Sequence, residues 1–157
     1  WTKRTVNGQT WKGGADEEPL TGPGYGHNEG THTGITERFS EDWNRGSKSY
    51  DDFNLEIRSP LDGVIERVDS YYVQNHGRSH FVSVVQEDEN GNKFRFYVAH
   101  LNTTIPRSYV GRYVRAGVDK LGTLGKSGAS SPHAHCNLRF GVGYQKPSIQ
   151  FRFDAIK

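Results

Sequence analysis

Between Ser108 and Gly128 a glycine interrupts the chain every three to six residues, at Gly111, Gly117, Gly122, Gly125 and Gly128. Helices do not propagate through that spacing, because each interior glycine costs about 1 kcal/mol relative to alanine. The short Val, Leu and Tyr segments left between the glycines read as strands. No segment after residue 30 offers a capped, periodic helix of twelve or more residues. In Leu55–Val68, Pro60 and Asp62-Gly63 separate two β-prone runs, a strand, turn and strand signature. From His80 to His100, Phe/Val runs flank an acidic stretch ending in Asn90-Gly91, which predicts a hairpin closed by a tight primed turn. The expected fold is mainly β: a single domain with an antiparallel β-sheet core and long loops forming a narrow cleft.

The length of 157 residues suits one domain. Residues 1–25, dense in Gly, Pro and acids toward their end, read as an N-terminal extended arm or loop, and 26–157 as the folded domain. Hydrophobic residues make up only 32% of the chain, and no apolar run approaches the roughly 18 residues that span a bilayer. Eight Phe, eight Tyr and three Trp nevertheless supply a core, which excludes a disordered chain. The net charge is +2 with basic residues scattered, so a nucleic-acid partner is not expected; Lys93-Phe94-Arg95-Phe96-Tyr97 is a faint version of the interleaved aromatic and basic face that such binding needs. One cysteine, Cys136, excludes an internal disulfide. With Trp1 first and no methionine, the sequence is expected to be a processed product or an excised piece, with any export signal lost from view.

The segment Pro132-His133-Ala134-His135-Cys136-Asn137-Leu138-Arg139-Phe140 carries the chemistry. On a strand, His133, His135, Asn137 and Arg139 share one face, and Ala134, Cys136, Leu138 and Phe140 share the other. Two histidines at i and i+2 then stand about 6 to 7 Å apart at their backbones, close enough to address one bound ion or its water. Alone, such a pair reads equally as two surface imidazoles. His32 in Thr31-His32-Thr33-Gly34, Asp42 in Glu41-Asp42-Trp43, and His100 at the end of the β-prone run Phe94–His100 add three more candidate groups at element edges.

In order and context these residues, together with Ser59-Pro60-Leu61-Asp62-Gly63, Tyr97-Val98-Ala99-His100-Leu101 and Gly125-Lys126-Ser127-Gly128, resemble the lysostaphin-type (LytM, M23) zinc metalloendopeptidases from about Gly26 to Phe140. The resemblance implies a Zn2+ cofactor held by His32, Asp42 and His135, with His100 and His133 as catalytic histidines. Its substrate class is peptidoglycan peptides, in the stem or in Gly-containing cross-bridges, or a Gly-rich protein, cleaved outside the cytoplasm in an extracellular or periplasmic setting. A monomer without a membrane span is expected. Many members place three residues between the first His and the Asp; here nine separate His32 from Asp42, and the short spacing would select Thr36, a poor zinc ligand. Cys136-Asn137 stands where Phe-Glu is commoner, and Ser131 replaces a frequent Gly.

Three ligands with an open fourth position are the arrangement of catalytic rather than structural zinc. Imidazoles nearby suit proton transfer because their ordinary pKa of about 6.5 lies near working pH. Asn102 and Asn137 are candidate substrate contacts; Asn137 reads alternatively as a residue orienting His135 or as an ordinary exposed polar side chain. His27, His76 and His80 read as solvated loop histidines, with His27 the only rival to His32, and Cys136 reads as core. Asp51-Asp52 and Glu87-Asp88-Glu89 read as solvated turns. The segment from Tyr71 to His80 is expected to be a loop that helps wall the cleft, where Tyr25, Tyr71 and Tyr72 either meet an extended peptide or stabilise the loop. The rival to an enzyme is a non-catalytic LytM-like module that binds cell-wall peptide or activates a partner hydrolase.

Overall fold

The computed structural model describes residues 4–6, 9–11, 37, 40–43, 50–51, 53–142, 146 and 148–149. Twelve strands are present among them: β1 (Arg4–Val6), β2 (Gln9–Trp11), β3 (Glu41–Trp43), β4 (Glu56–Arg58), β5 (Gly63–Val73), β6 (Gly77–Glu87), β7 (Lys93–Ala99), β8 (Leu101–Thr104), β9 (Tyr113–Val114), β10 (Lys120–Leu124), β11 (Ala134–Phe140) and β12 (Ser148–Ile149). Only a single 3-10 turn, Arg107–Tyr109, is helical among the described residues. The mainly β expectation therefore holds.

All strand pairs are antiparallel. The large sheet runs β12-β11-β7-β6-β5-β9, with β3 also pairing along β11; a second sheet runs β4-β10-β8. The remaining pair, β1 with β2, lies inside the segment read from sequence as arm or loop. The sequence placed β4 and β5 on either side of a turn, but they part company there: β4 joins β10, and β5 joins β6.

The expected hairpin is β6-β7, and its turn is anchored differently from the sequence reading. Asp88 Oδ1 accepts from the backbone N–H groups of Asn90 and Asn92, and only Gly91 takes a positive φ, +78°. An aspartate-capped turn closed by one left-handed glycine replaces the two-residue primed turn. Tyr71–His80, expected as a loop, is instead the end of the long β5-β6 hairpin. Its three-residue turn, Gln74–His76, has Asn75 at φ +67°, and Gly77, which opens β6, sits at +81°, conformations that Asn and Gly tolerate.

The core lies between the two sheets. Trp43, Ile57, Leu101, Leu121, Leu124, Val82, Val84, Phe96, Val98, Ala134 and Cys136 are completely buried there. The apolar alternation of β11 is observed for Ala134, Cys136 and Leu138, whereas Phe140 at the strand end is exposed and meets Phe94 edge-on. Trp43 stacks on Phe96 with ring centroids 5.9 Å apart, pinning the short strand β3 against the sheet. Replacing Trp43 with Ala should cost about 3–5 kcal/mol of stability, measured by urea unfolding, because it removes the largest buried side chain and opens a cavity behind β3.

Candidate active site

Strand register assembles the site. β11 is flanked on one edge by β7 and on the other by β3, so His135 stands opposite both Ala99 and Asp42. Two residues 93 positions apart in the chain thus become cross-strand neighbours, and His135 Nδ1 faces Asp42 Oδ1 at 3.1 Å. His133, one pleat earlier, presents Nε2 to Asp42 Oδ2 at 3.4 Å. His100 arrives from the end of β7, its ring centroid 4.6 Å from that of His133 and 5.9 Å from that of His135. Four of the five residues expected at the site, Asp42, His100, His133 and His135, are therefore brought together; His32 lies outside the described residues, as do Thr36 and His27.

His100 sits at φ +64°, between β7 of the large sheet and β8 of the small one. Left-handed backbone in a residue with a Cβ costs about 1–2 kcal/mol, and here it lets the chain change sheets while aiming the imidazole at His133. Its Nδ1 lies 2.8 Å from the Ser127 carbonyl and 3.1 Å from Ser79 Oγ. A carbonyl only accepts, so Nδ1 carries the proton and Nε2 keeps its lone pair. The same device recurs at His133, whose Nδ1 lies 2.9 Å from the Ser131 carbonyl. Burial, the largest influence, and repulsion from His133 push the His100 pKa down to about 4, so its ring is neutral at pH 7.

The loop that supplies these carbonyls is shaped by close packing. The His133 N–H donates to the Gly125 carbonyl and the Ala129 N–H to the Lys126 carbonyl. Ser127 Oγ accepts from the His80 N–H. Gly128, at φ +65°, lies so close to β6 that an added Cβ would stand 2.6 Å from the Ser79 Cβ.

A residue that the sequence reading passed over dominates the far side of His135. Glu37 Oε2 lies 2.8 Å from His135 Nε2 and accepts from Asn137 Nδ2 at 3.2 Å and Ser40 Oγ at 2.7 Å, while Glu37 Oε1 accepts from Arg139 Nη2 at 2.7 Å. A turn in which the Ser40 N–H donates to the Glu37 carbonyl delivers this side chain just before β3. Burial disfavours the charge on Glu37, but His135, Ser40 and Arg139 outweigh it and hold the pKa at about 2. Burial likewise opposes the charge on His135, and the bonds to Asp42 and Glu37 overcome it, raising that pKa to about 9. Only the Glu37–Ser40 turn hints at this in sequence, and it has no periodicity to expose it.

Asn137 is fully buried, not an exposed polar residue, and a buried side chain offers substrate no surface. Its amide nitrogen donates to Glu37 Oε2 at 3.2 Å and to Ser40 Oγ at 3.3 Å. Asn102 is exposed on β8, its amide donating to Asn54 Oδ1. His76 and His80 are exposed as expected, although His80 lies on β6 and not in a loop. Cys136 is core. The faint nucleic-acid stripe on β7 is not a stacking platform, since Phe96 is completely buried and Arg95 is paired with Glu66.

Among the described residues no group of three His, Cys, Asp or Glu side chains forms a complete metal cradle. The pair His135 Nδ1 and Asp42 Oδ1 does fit a divalent cation in chemistry and spacing. Neighbouring donors on a tetrahedral zinc with bonds of 2.0–2.2 Å stand about 3.3 Å apart, close to the observed 3.1 Å. An imidazole flanked by two carboxylates is also a place where positive charge is favoured.

No protein-family profile matches the sequence, and no curated protein sequence matches it either. Solved structures do. The catalytic domain of the prophage-encoded M23 protein EnpA from Enterococcus faecalis aligns at a TM-score of 0.55 and 18% identity over 83% of this chain and 85% of that one. The catalytic domain of the antimicrobial peptidase lysostaphin from Staphylococcus simulans aligns at 0.53 and 16% identity, covering 80% and 89%. A zinc-containing peptidase from Vibrio cholerae aligns at 0.56 and 15% identity over 94% of this chain, which spans 45% of that protein. The chain thus has the fold of M23 peptidase catalytic domains, and at these identities the likeness is one of fold.

Gly128→Ala should loosen the loop that holds His100. The expected result is a stability loss of about 1–3 kcal/mol in urea unfolding, against a smaller loss for Ser127→Ala, which keeps the carbonyl that His100 uses.

Proposed function

We propose that this chain is a zinc-dependent endopeptidase that hydrolyses peptide bonds in bacterial cell-wall peptidoglycan, in the stem peptide or a Gly-containing cross-bridge, outside the cytoplasm. The observation that carries the reading is the pairing of His135 Nδ1 with Asp42 Oδ1 directly beside two further histidines, each held at Nδ1 by a backbone carbonyl. The fold shared with M23 catalytic domains supports it, as does the zinc-containing neighbour.

In this reading His32, Asp42 and His135 hold the metal. Zinc bound with three protein ligands acidifies water to near neutrality and polarises a carbonyl. The chain's own groups do the rest. His100 and His133 are each fixed through Nδ1–H to a backbone carbonyl, which keeps their rings from rotating, and His133 presents Nε2 to Asp42. One accepts the proton of the attacking water, and the other donates to the leaving amine or the developing oxyanion.

Purified protein should contain one zinc per chain and release new amine ends from purified cell walls, and chelation should abolish the release until zinc is returned. Asp42→Ala and His135→Ala should lose both metal and activity. His100→Ala and His133→Ala should keep the metal and lose about 10²–10⁴-fold in turnover. Stoichiometric zinc without cleavage, or cleavage without zinc, would contradict the proposal; neither zinc nor cleavage would favour the non-catalytic binding module.

A further inference from the structure

Glu37 contacts three successive side chains on one face of β11. His135, Asn137 and Arg139 stand at i, i+2 and i+4, and all three reach this one carboxylate, at 2.8, 3.2 and 2.7 Å. Ser40 adds a fourth donor at 2.7 Å. So many converging donors leave the carboxylate little freedom to rotate, and Arg139 anchors it by its other oxygen. The contact with His135 is made at Nε2, on the opposite side of the ring from Asp42.

We infer that Glu37 is a positioning residue for the metal centre: by accepting the Nε2–H of His135 it leaves Nδ1, which faces Asp42, as the nitrogen that gives up its proton when a cation binds there, and it holds the ring in the plane that cation requires. The inference rests on the zinc reading above. A carboxylate behind a ligating imidazole raises its basicity and orients it, and loss of such a partner typically weakens metal binding by 10–100-fold. Asn137 and Arg139 take part by holding Glu37. Arg139 does so although its cross-strand neighbour is Arg95, a like-charge pairing that β-sheets ordinarily avoid. Each arginine is neutralised separately, Arg139 by Glu37 and Arg95 by Glu66. Glu37 is therefore part of the sheet's own charge balance as well as part of the site.

Zinc affinity of the full chain, measured by competition with a chromophoric chelator, tests this without reference to turnover. Glu37→Ala should bind zinc 10–100-fold more weakly than the parent. Glu37→Gln, whose amide oxygen still accepts from Nε2–H, should recover part of the loss, whereas Glu37→Asp, which keeps the charge but is one methylene too short, should recover less. Cobalt substitution should show the visible bands of the Ala variant shifted from those of the parent, a change that altered stability alone would not cause. Should the Ala variant fail to fold, the Gln and Asp variants carry the test. Zinc binding within twofold of the parent in both would overturn the inference, and so would complete loss of zinc to the extent seen in Asp42→Ala, which would make Glu37 a ligand. A parent that binds no zinc would instead bring down the metal reading itself, and this inference with it.

Discussion

The antiparallel register of β11 between β3 and β7 is the constraint on which the rest of the structure depends. With side chains alternating at a period of two, a slip of one residue on either edge would turn His135 into the core and Ala134 or Cys136 toward the carboxylates. The apolar face prevents the slip. Ala134, Cys136 and Leu138 pack with Trp43, Val98 and Phe96, and moving any of them to the polar face would expose hydrocarbon while burying an imidazole. Hydrophobic packing on one side of the strand thus fixes hydrogen-bonding geometry on the other.

On that polar face the groups are held by a connected set of bonds rather than by isolated contacts. Glu37 ties three side chains of β11 together, and Ser127 and Ser131 lend backbone carbonyls to two histidines. The strained backbone at His100 is retained because β7, β8 and the Gly125–His133 loop determine the conformation from three sides. Under the proposed function such a site is organised before substrate arrives, which is where most of the catalytic advantage of a fixed electrostatic environment comes from. The contacts that hold these side chains also hold the strands together.

Much of this was legible in the sequence. Glycine spacing and short β-prone runs announced an all-β domain, and the alternation from His133 to Arg139 separated the core side of β11 from its polar side. Asp42, preferred to Thr36 in the sequence because threonine is a poor zinc ligand, stands opposite His135 in the β3-β11 register, while Thr36 lies outside the described residues. What stayed hidden was non-local. Glu37 owes its importance to a turn and to partners about 100 residues away; Asn137 looked exposed because burial of a polar residue depends on what lies above the strand. The Tyr71–His80 hairpin was missed because Asn75-His76-Gly77, its turn signal, lies among polar residues that also suit a loop.

The proposed zinc centre requires two imidazoles and one carboxylate to converge on a single ion, with the fourth corner left to solvent. X-ray absorption at the zinc edge of the loaded protein tests this most directly. The expected result is a four-coordinate centre with two imidazole nitrogens and two oxygens at about 2.0–2.2 Å. A centre with three or more imidazoles, or with a sulfur neighbour, would contradict it.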